Sequence, residues 1–338
     1  MPRYAITGIS GSLGSALTAR LVEAGLGPIV GVTRDEFKAE QISNRYGGIG
    51  GNVRCMVVSE GITNTDKLVQ IFKGCDTLIH CAAMKRISGS VYAAEEMVST
   101  NVVGTMSVLH AATQAGISKV LVISSDKAVQ ATNLYGATKF VGECLAVQEN
   151  AFSYPKGTRI SVARWGNVLG SRGSVVPIWR EALAKGEALK VTHEGMTRFL
   201  ITMRQAVDFV MACLFSMKGG EIFVPILPTA TMVDLAMAMY PANDPVLMGV
   251  RVLNELRPGG EKLAESLLSE EEPARTVARE LCGGFNHAIE AFVVLPSHRS
   301  WSNEPYPGVP VPVNMDYRSD RSHRQLSVED LRTMLEEA

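Results

Sequence analysis

The chain has 338 residues, of which 46% are hydrophobic and 20% charged, and its formal net charge is −1. That length suits one large domain, or a main domain with a smaller lobe, around a sizeable buried core. The near-neutral charge excludes a global basic field for nucleic acid or an anionic membrane surface. No apolar run approaches the roughly 20 residues of a membrane span, and no signal-peptide core precedes the first predicted strand. The six cysteines form neither a CxxC pair nor a Cys/His cluster with zinc spacing. The expectation is a cytoplasmic protein with reduced thiols, no structural metal and no membrane insertion.

In chain order, short apolar runs predict strands at 4–9, 29–33, 53–58, 77–83, 119–125 and 159–165. They are nearly continuous in apolar residues, as strands buried on both faces are. Helical spacing fills the gaps at about 12–25, 35–46, 64–73, 93–115 and 134–150. This alternation predicts an α/β fold: a Rossmann-type, doubly wound parallel sheet over residues 1–170, with some later segments returning to it. Residues 171–338 are assigned mainly to a smaller C-terminal substrate-binding lobe and tail. There the spacing predicts helices at about 174–186, 203–217, 231–240 and 260–270, then an irregular Pro/Gly-rich stretch over 283–315. Ser327, with Asp330 completing a capping box, predicts a last helix. The methionines at helical spacing in "DLAMAMY" and "DFVMACLFSM" read as core, and His80 within an apolar strand reads as a core or cofactor-lining residue.

Between the first strand and first helix, "ITGISGSLGSALTARL" places Gly8, Gly11 and Gly14. Glycines there allow a tight turn and close backbone approach, and the helix N-terminus can receive a pyrophosphate, so the loop predicts dinucleotide binding. An NAD-specific site usually has an acid at the end of the second strand. Arg34 stands there instead, with Lys38 four residues on. Two cations suit the 2′-phosphate of NADP, which is expected in preference to NAD. The competing reading is a solvated helix start in which Arg34 pairs with Asp35 or Glu36.

At the end of the fifth strand, "ISSDKAVQATNLYGATK" carries Ser125, Asp126, Lys127, Tyr135 and Lys139. Ligands of doubly wound sheets sit at the carboxyl ends of strands, so Asp126 and Lys127 are expected to face the cofactor crevice. Tyr135 and Lys139, at i and i+4, share a helix face. A neighbouring lysine is expected to lower the tyrosine pKa and make Tyr135 a general base toward a substrate hydroxyl. A surface Tyr–Lys pair is the alternative.

"TGISGSLG", "ISSDK" and "YGATK" together resemble the extended short-chain dehydrogenase/reductases. Within that superfamily, "ARWGNVLGSRGSVVPIW", "VTHEGMTRFLIT", "QAVDFV" and "RPGGEKLAESLL" resemble the inverting UDP-N-acetylglucosamine 4,6-dehydratases of bacterial polysaccharide biosynthesis, over nearly the whole chain. The tail "YRSDRSHRQLSVEDLRTML" resembles that of members making precursors of N-acetyl-fucosamine-type sugars.

The resemblance implies that Tyr135 takes the C4 hydroxyl proton while hydride leaves C4, with Lys139 holding Tyr135 and the nicotinamide ribose. Lys127 would remove the C5 proton, which requires a neutral amine and hence a lowered pKa. Asp126 would protonate the departing C6 hydroxyl, and Ser125 completes the catalytic set. Relatives that retain configuration carry Asp-Glu where this chain has Asp-Lys. Ser10, Ser12, Leu13, Ala82, Ala83 and Asn101 join the cofactor set by the same resemblance. Lys85, Asn167, Arg172, Ser174, Arg198, Arg257 and Glu261 are the implied UDP-sugar ligands, the arginines suiting a pyrophosphate. A homo-oligomer, dimer or hexamer, is also implied.

The chain departs from the family pattern in four places. "VSEGITN" replaces the usual "GDVRD", leaving Glu60 as a replacement adenine contact; "RPGGEK" has an extra glycine; "AVQATN" lacks a proline; and so does "ISGSVYAAEE" after Lys85. Two rival activities use the same Tyr135 and Lys139 without needing Lys127: a UDP-sugar C4 epimerase and a retaining dehydratase. A non-catalytic dinucleotide-binding protein would be expected to have lost members of the catalytic set.

Overall fold

The computed structural model describes residues 1–47, 51–85, 93–240, 249–283, 288–298, 301 and 305–337. The six apolar runs of the first half form strands β1 (Tyr4–Thr7), β2 (Ile29–Thr33), β3 (Val53–Val57), β4 (Thr77–His80), β5 (Lys119–Ile123) and β6 (Arg159–Ala163). They pair in parallel in the order β3-β2-β1-β4-β5-β6. Among the described residues the intervening helices are α1 (Ser12–Glu23), α2 (Glu36–Tyr46), α3 (Thr65–Phe72), α4 (Ala94–Val98), α5 (Gly104–Gln114) and α6 (Leu134–Ser153). A π-helical turn, Ser99–Val103, joins α4 to α5. The order reverses between β1 and β4, which makes their carboxyl ends the crevice of the fold.

The same sheet extends beyond β6. Strand β10 (Ile222–Pro225) adds in parallel, and β14 (Ala288–Val294), β13 (Thr276–Cys282) and β15 (Val309–Pro310) follow antiparallel. The stretch expected to be irregular over 283–315 therefore carries a strand: "AIEAFVV" buries its last four residues against β10. Two small sheets lie outside the large one, β7 (Asn167–Val168) with β9 (Thr197–Ile201) and β11 (Thr229–Thr231), and β8 (Leu189–Val191) with β12 (Val250–Val252). Helices α7 (Val175–Ala184), α8 (Met203–Ser216), α9 (Met232–Ala238) and α10 (Val328–Glu336) complete the described elements.

Apolar residues of the large sheet and its helices form the main core, including Ile6, Leu17, Leu78, Leu121, Phe199 and Phe223. A second cluster, with Trp179, Leu189, Leu235 and Leu331, gathers α7, α9 and α10 over the small sheets. Helix α10 has the expected capping box, Ser327 and Asp330 each accepting from the other's backbone. The expected helix at 260–270 does not form. That segment is irregular because its backbone bonds elsewhere: Leu267 N–H donates to Tyr317 O, and Ser319 N–H donates to Glu265 O. Met211 and Met232 are buried as expected, whereas Met237 is exposed. All six cysteines are free thiols. No helix among the described residues is long and apolar enough to cross a membrane.

Candidate active site

The crevice begins at the glycine turn. Gly8 has φ +69°, and a Cβ there would lie 2.8 Å from the Ala82 backbone; at Gly14 a Cβ would come 2.4 Å from the Gly8 carbonyl. Larger residues would break this packing of turn, helix and strand end. Helix α1 starts at Gly11 with no side-chain cap and no acid in its first turn. Its first N–H groups and positive dipole end are thus available to an anion. Ser10 Oγ bonds Thr33 Oγ1 at 2.8 Å, and Ser12 Oγ accepts from Arg172 N–H at 3.1 Å. Leu13 packs against the main core.

Beyond β4, Ala82 N–H donates to Thr7 Oγ1 at 3.4 Å; Ala82 is half-buried and Ala83 exposed. Asn101 is buried in the π-helical turn. Its Oδ1 accepts from Met84 N–H at 2.7 Å, and its Nδ2 donates to Met84 O at 2.9 Å and Thr138 Oγ1 at 3.0 Å. It clamps the segment after β4 to α6. His80 bonds Thr7 and Thr105 at 2.7 and 3.0 Å. Burial, then the Lys139 charge, lowers its pKa to about 3, so it is a neutral core histidine.

The two cations after β2 are placed differently from one another. Arg34 is exposed, whereas Lys38 Nζ lies 2.5 Å from Asp35, the N-cap of α2. The Lys38 bonds hold the Asp35 carboxyl below its ordinary pKa. Glu60 pairs with Lys67 at 2.8 Å.

Beyond β5 the chain turns tightly. Ser124 N–H donates to Ala163 O at 2.7 Å and Asp126 N–H to Trp165 O at 2.9 Å. Ser125 caps a 3₁₀ turn over Asp126–Ala128, which turns the Asp126 side chain fully inward, with 0% exposure. Asn133 caps α6 through Gly136 N–H. A Cβ at Gly136 would lie 2.1 Å from the Lys127 carbonyl, so this glycine lets the start of α6 rest on the 3₁₀ turn and brings Tyr135 beside it.

Asp126 Oδ1 accepts from Ser125 Oγ at 2.7 Å and from Lys127 Nζ at 2.9 Å. Its Oδ2 is buried and, among the described residues, has no hydrogen-bond partner. Glu265, 3% exposed, joins the group: Oε1 is 3.8 Å from Lys127 Nζ, and Oε2 is 3.7 Å from Lys262 Nζ. Lys262 Nζ also donates to Val129 O at 2.8 Å. Burial alone would lower the Lys127 pKa, yet Asp126 and Glu265 outweigh it and the net shift is upward. The expected neutral lysine is therefore corrected: two carboxylates hold Lys127 as an ammonium. Glu265 is raised, first by burial and then by the Asp126 charge.

The tyrosine expectation is also corrected. Burial raises the Tyr135 pKa above its ordinary value; the Lys127 charge and a Ser125 hydrogen bond oppose that, while Asp126 adds to it. The charge acting on the phenol is Lys127, not Lys139. Lys139 Nζ donates to Ile123 O, and burial lowers its pKa to about 8 against Glu143 and Cys81.

The expected substrate ligands divide into two sets. Asn167 Oδ1 and Ser174 Oγ are buried and, among the described residues, have no hydrogen-bond partners, which suits a polar ligand. Arg172 and Lys85 are exposed. Desolvation, then the Arg172 and Lys127 charges, lowers the Lys85 pKa, so these cations converge. Residues 86–92 lie outside the described residues, and with them most of "ISGSVYAAEE". Arg198 instead is 6% exposed, and its guanidinium donates to the carbonyls of Thr197, Leu263 and Lys262 at 2.7, 3.0 and 2.8 Å. It straps the Glu265 segment to β9. Glu261 accepts from the Arg257 backbone N–H at 2.8 Å, and the Arg257 residue is exposed. Thr132 Oγ1 donates to Gly260 O at 2.7 Å, so the glycine-extended loop docks on the segment between the 3₁₀ turn and α6.

A second buried charge group lies at the ends of β5 and β6. Arg164 donates from Nε and Nη2 to both Glu143 oxygens at 2.9 and 2.6 Å. It also donates to both Glu272 oxygens at 2.8 and 2.9 Å and to Leu267 O at 3.0 Å. Ser124 Oγ donates to Glu143 at 2.5 Å. Sequence reading selected none of Glu265, Lys262, Arg164, Glu143 or Glu272. Their only sequence signal is membership of blocks such as "RPGGEK" and "ARWG".

The doubly wound sheet, the glycine turn and the Tyr135–Lys139 helix define an extended short-chain dehydrogenase/reductase. The family model described as "Polysaccharide biosynthesis protein" matches residues 5–282, and the chain belongs to that family. A Campylobacter jejuni protein described as UDP-N-acetylglucosamine 4,6-dehydratase (inverting) is 37% identical over 79% of this chain and 77% of its own length. A Rickettsia conorii UDP-glucose 4-epimerase is 34% identical over 80% and 78%. Among solved structures, Pen from Bacillus thuringiensis superposes with TM-score 0.85 and 27% identity over 99% of this chain and 96% of Pen. The dTDP-glucose 4,6-dehydratase DesIV from Streptomyces venezuelae shares the fold, with TM-score 0.65 and 20% identity over 77% and 86%.

Proposed function

We propose that the chain catalyses 4,6-dehydration of a UDP-amino sugar, UDP-N-acetylglucosamine, with inversion at C5, and that NADP is its cofactor. The product is a 4-keto-6-deoxy sugar nucleotide for glycan assembly. One observation carries this reading: a fully buried aspartate with an unpartnered oxygen, hydrogen-bonded to Lys127 and adjacent to Tyr135. A C4 epimerase needs a base at C4 but no acid–base pair for C5 and C6. The relatives include both activities, and the Asp126–Lys127 pair favours dehydration.

The glycine turn and the uncapped start of α1 suit a dinucleotide pyrophosphate, and exposed Arg34 suits a 2′-phosphate. A nicotinamide dinucleotide held there would supply reversible hydride transfer, out of the substrate at C4 and back at C6. The protein moves the protons. Tyr135 receives the C4 hydroxyl proton, with the Lys127 charge favouring the phenolate. Lys127 passes its own proton to the Asp126 carboxylate, 2.9 Å away, and the amine so formed takes the C5 proton, which the 4-keto group acidifies; a proton returned to C5 from the opposite face, exchanged with solvent, inverts that centre. Asp126, protonated at that step, donates to the leaving C6 hydroxyl through an oxygen with no other partner. Asn167, Ser174, Lys85 and Arg172 bind the polar and diphosphate parts of the substrate. Exposed Phe140 and Phe152 on α6 support a homo-oligomer.

The test is incubation with UDP-N-acetylglucosamine and NADP or NAD in deuterated water, followed by NMR. A 4-keto-6-deoxy product with deuterium at C5 and inverted configuration is expected, with NADP the better cofactor. Lys127→Ala should lower dehydration at least about 100-fold. C4 epimerisation without loss of water, or near-normal dehydration by Lys127→Ala, would overturn the reading.

A further inference from the structure

We propose that Glu265 is a positioning residue for the elimination base, the second counter-charge that holds the Lys127 amine and sets the charge it carries. This rests on the reading of Lys127 as that base. The base must reach its neutral form, yet its neighbours stabilise the ammonium. Asp126 cannot relieve this alone, because it is assigned as the acid for C6. When Asp126 becomes protonated for its own step, Glu265 is the carboxylate still beside Lys127.

The geometry is built rather than incidental. Glu265 lies 139 positions from Asp126 in sequence yet sits 3.8 Å from Lys127 Nζ. Its backbone is fixed on both sides by Ser319: Glu265 N–H donates to Ser319 Oγ at 3.0 Å, and Ser319 N–H donates to Glu265 O at 2.9 Å. Ser319 Oγ in turn bonds Thr197 Oγ1 at 2.8 Å. Arg198 straps the preceding residues through Lys262 O and Leu263 O. Among the described residues Glu265 Oε2 has no hydrogen bond, and burying a carboxylate in that way is costly for folding.

The charged and titratable groups facing this pair are Asp126 from the 3₁₀ turn, Tyr135 from α6, Arg198 from β9, Lys262 from the same loop and Lys85 from the segment after β4. Glu265 therefore supports the ammonium, Arg198 and Lys85 oppose it, and Lys262, 3.7 Å from Glu265, competes with Lys127 for the same carboxylate. Two substitutions at one locus then have opposite signs. Removing the Glu265 charge should make Lys127 lose its proton more readily, and removing the Lys262 charge should make it hold the proton more tightly.

The readout is acetylation of Lys127 by acetic anhydride in the full-length protein, quantified by peptide mass spectrometry at one mildly alkaline pH and normalised to exposed Lys190. An opposite charge within hydrogen-bond or ion-pair range shifts a pKa by about one unit or more, so Glu265→Gln is expected to speed labelling about tenfold and Lys262→Gln to slow it about threefold. In turnover, the rising limb of the dehydration pH profile should move to lower pH in Glu265→Gln. Glu265→Asp, which keeps the charge, should leave the limb in place. A role in holding the loop shut predicts faster labelling in both variants, and that result, or no change in either, overturns the proposal. If Glu265→Gln does not fold, the direction of Lys262→Gln alone decides. Opposite shifts without dehydration by the wild type would uphold the Glu265 role and refute the reaction.

Discussion

The molecule buries two groups of charges near the carboxyl end of β5, and they are built on opposite principles. Around Arg164, the guanidinium fork meets both oxygens of Glu143 and both of Glu272, and Ser124 and Leu267 supply further hydrogen-bond partners. Around Lys127, among the described residues, Asp126 Oδ2 and Glu265 Oε2 each lack a hydrogen bond, and Glu265 meets its lysines only at ion-pair range, 3.8 Å from Lys127 and 3.7 Å from Lys262. Buried polar groups are ordinarily satisfied. The first group obeys that rule and ties β5, α6, β6 and the 267–272 segment together. The second breaks it where acid–base chemistry would need vacant lone pairs. Satisfaction, rather than burial or charge, separates the scaffold from the candidate chemistry.

The largest expected effect falls on the satisfied group. Arg164→Met removes the cation shared by two buried carboxylates and leaves Glu272 only the more distant Arg275, at 4.0 Å; loss of one member of such a network costs about 3–5 kcal/mol. The sign with pH is specific. Burial alone would raise the Glu272 pKa, but Arg164 holds it below its ordinary value. Its contribution to stability is therefore present above the unfolded pKa and is lost as pH falls through the folded one. In the variant burial should carry the Glu272 carboxyl upward, so the defect should be largest at neutral pH and shrink in acid. Urea titrations of both proteins at a series of pH values check this. A defect that is constant with pH would show that lost packing, not charge, is responsible.

A smaller loss is expected at the edge of the same group. Ser124→Ala removes one donor to Glu143, which keeps both bonds from Arg164. Removing a hydrogen bond to a charged acceptor that stays partnered costs about 1–2 kcal/mol. Parallel urea midpoints should rank the variants in that order, and equal losses would mean that Ser124 and Arg164 act as one indivisible unit.

How far these two groups could be read from the sequence differs sharply. Strands β1–β6, the glycine turn and the Tyr135–Lys139 pair were legible because each is a local pattern: an apolar run, a spacing between glycines, a separation of four. Asp126 and Lys127 were legible because they follow a strand end. Glu265 was not. "EKLAESLL" has helical spacing, and the spacing was overridden when Leu267 and Glu265 bonded to Tyr317 and Ser319 instead. Strand β14 was hidden in the same way by the Pro and Gly residues around it, and its pairing with β10 and β13 is set by contacts distant in sequence. The pKa directions were misjudged because adjacency in sequence gave Lys139 to Tyr135. In space the charge that reaches the phenol comes from Lys127.

The smallest effect on folding is expected at the residue assigned the most chemistry. Besides Lys127, the charges around Asp126 and Glu265 include Lys262 and Arg198. Lys127→Met therefore leaves two carboxylates with two cations, and Asp126 retains its bond from Ser125. An amine at 22% side-chain exposure also gives up little burial when it is replaced by an apolar chain of similar length. A change within about 1 kcal/mol of the wild type is expected in urea, alongside loss of dehydration. If Lys127→Met instead unfolds as readily as Arg164→Met, then Lys127 is a structural ion-pair partner, and the contrast between the two groups fails at its central residue.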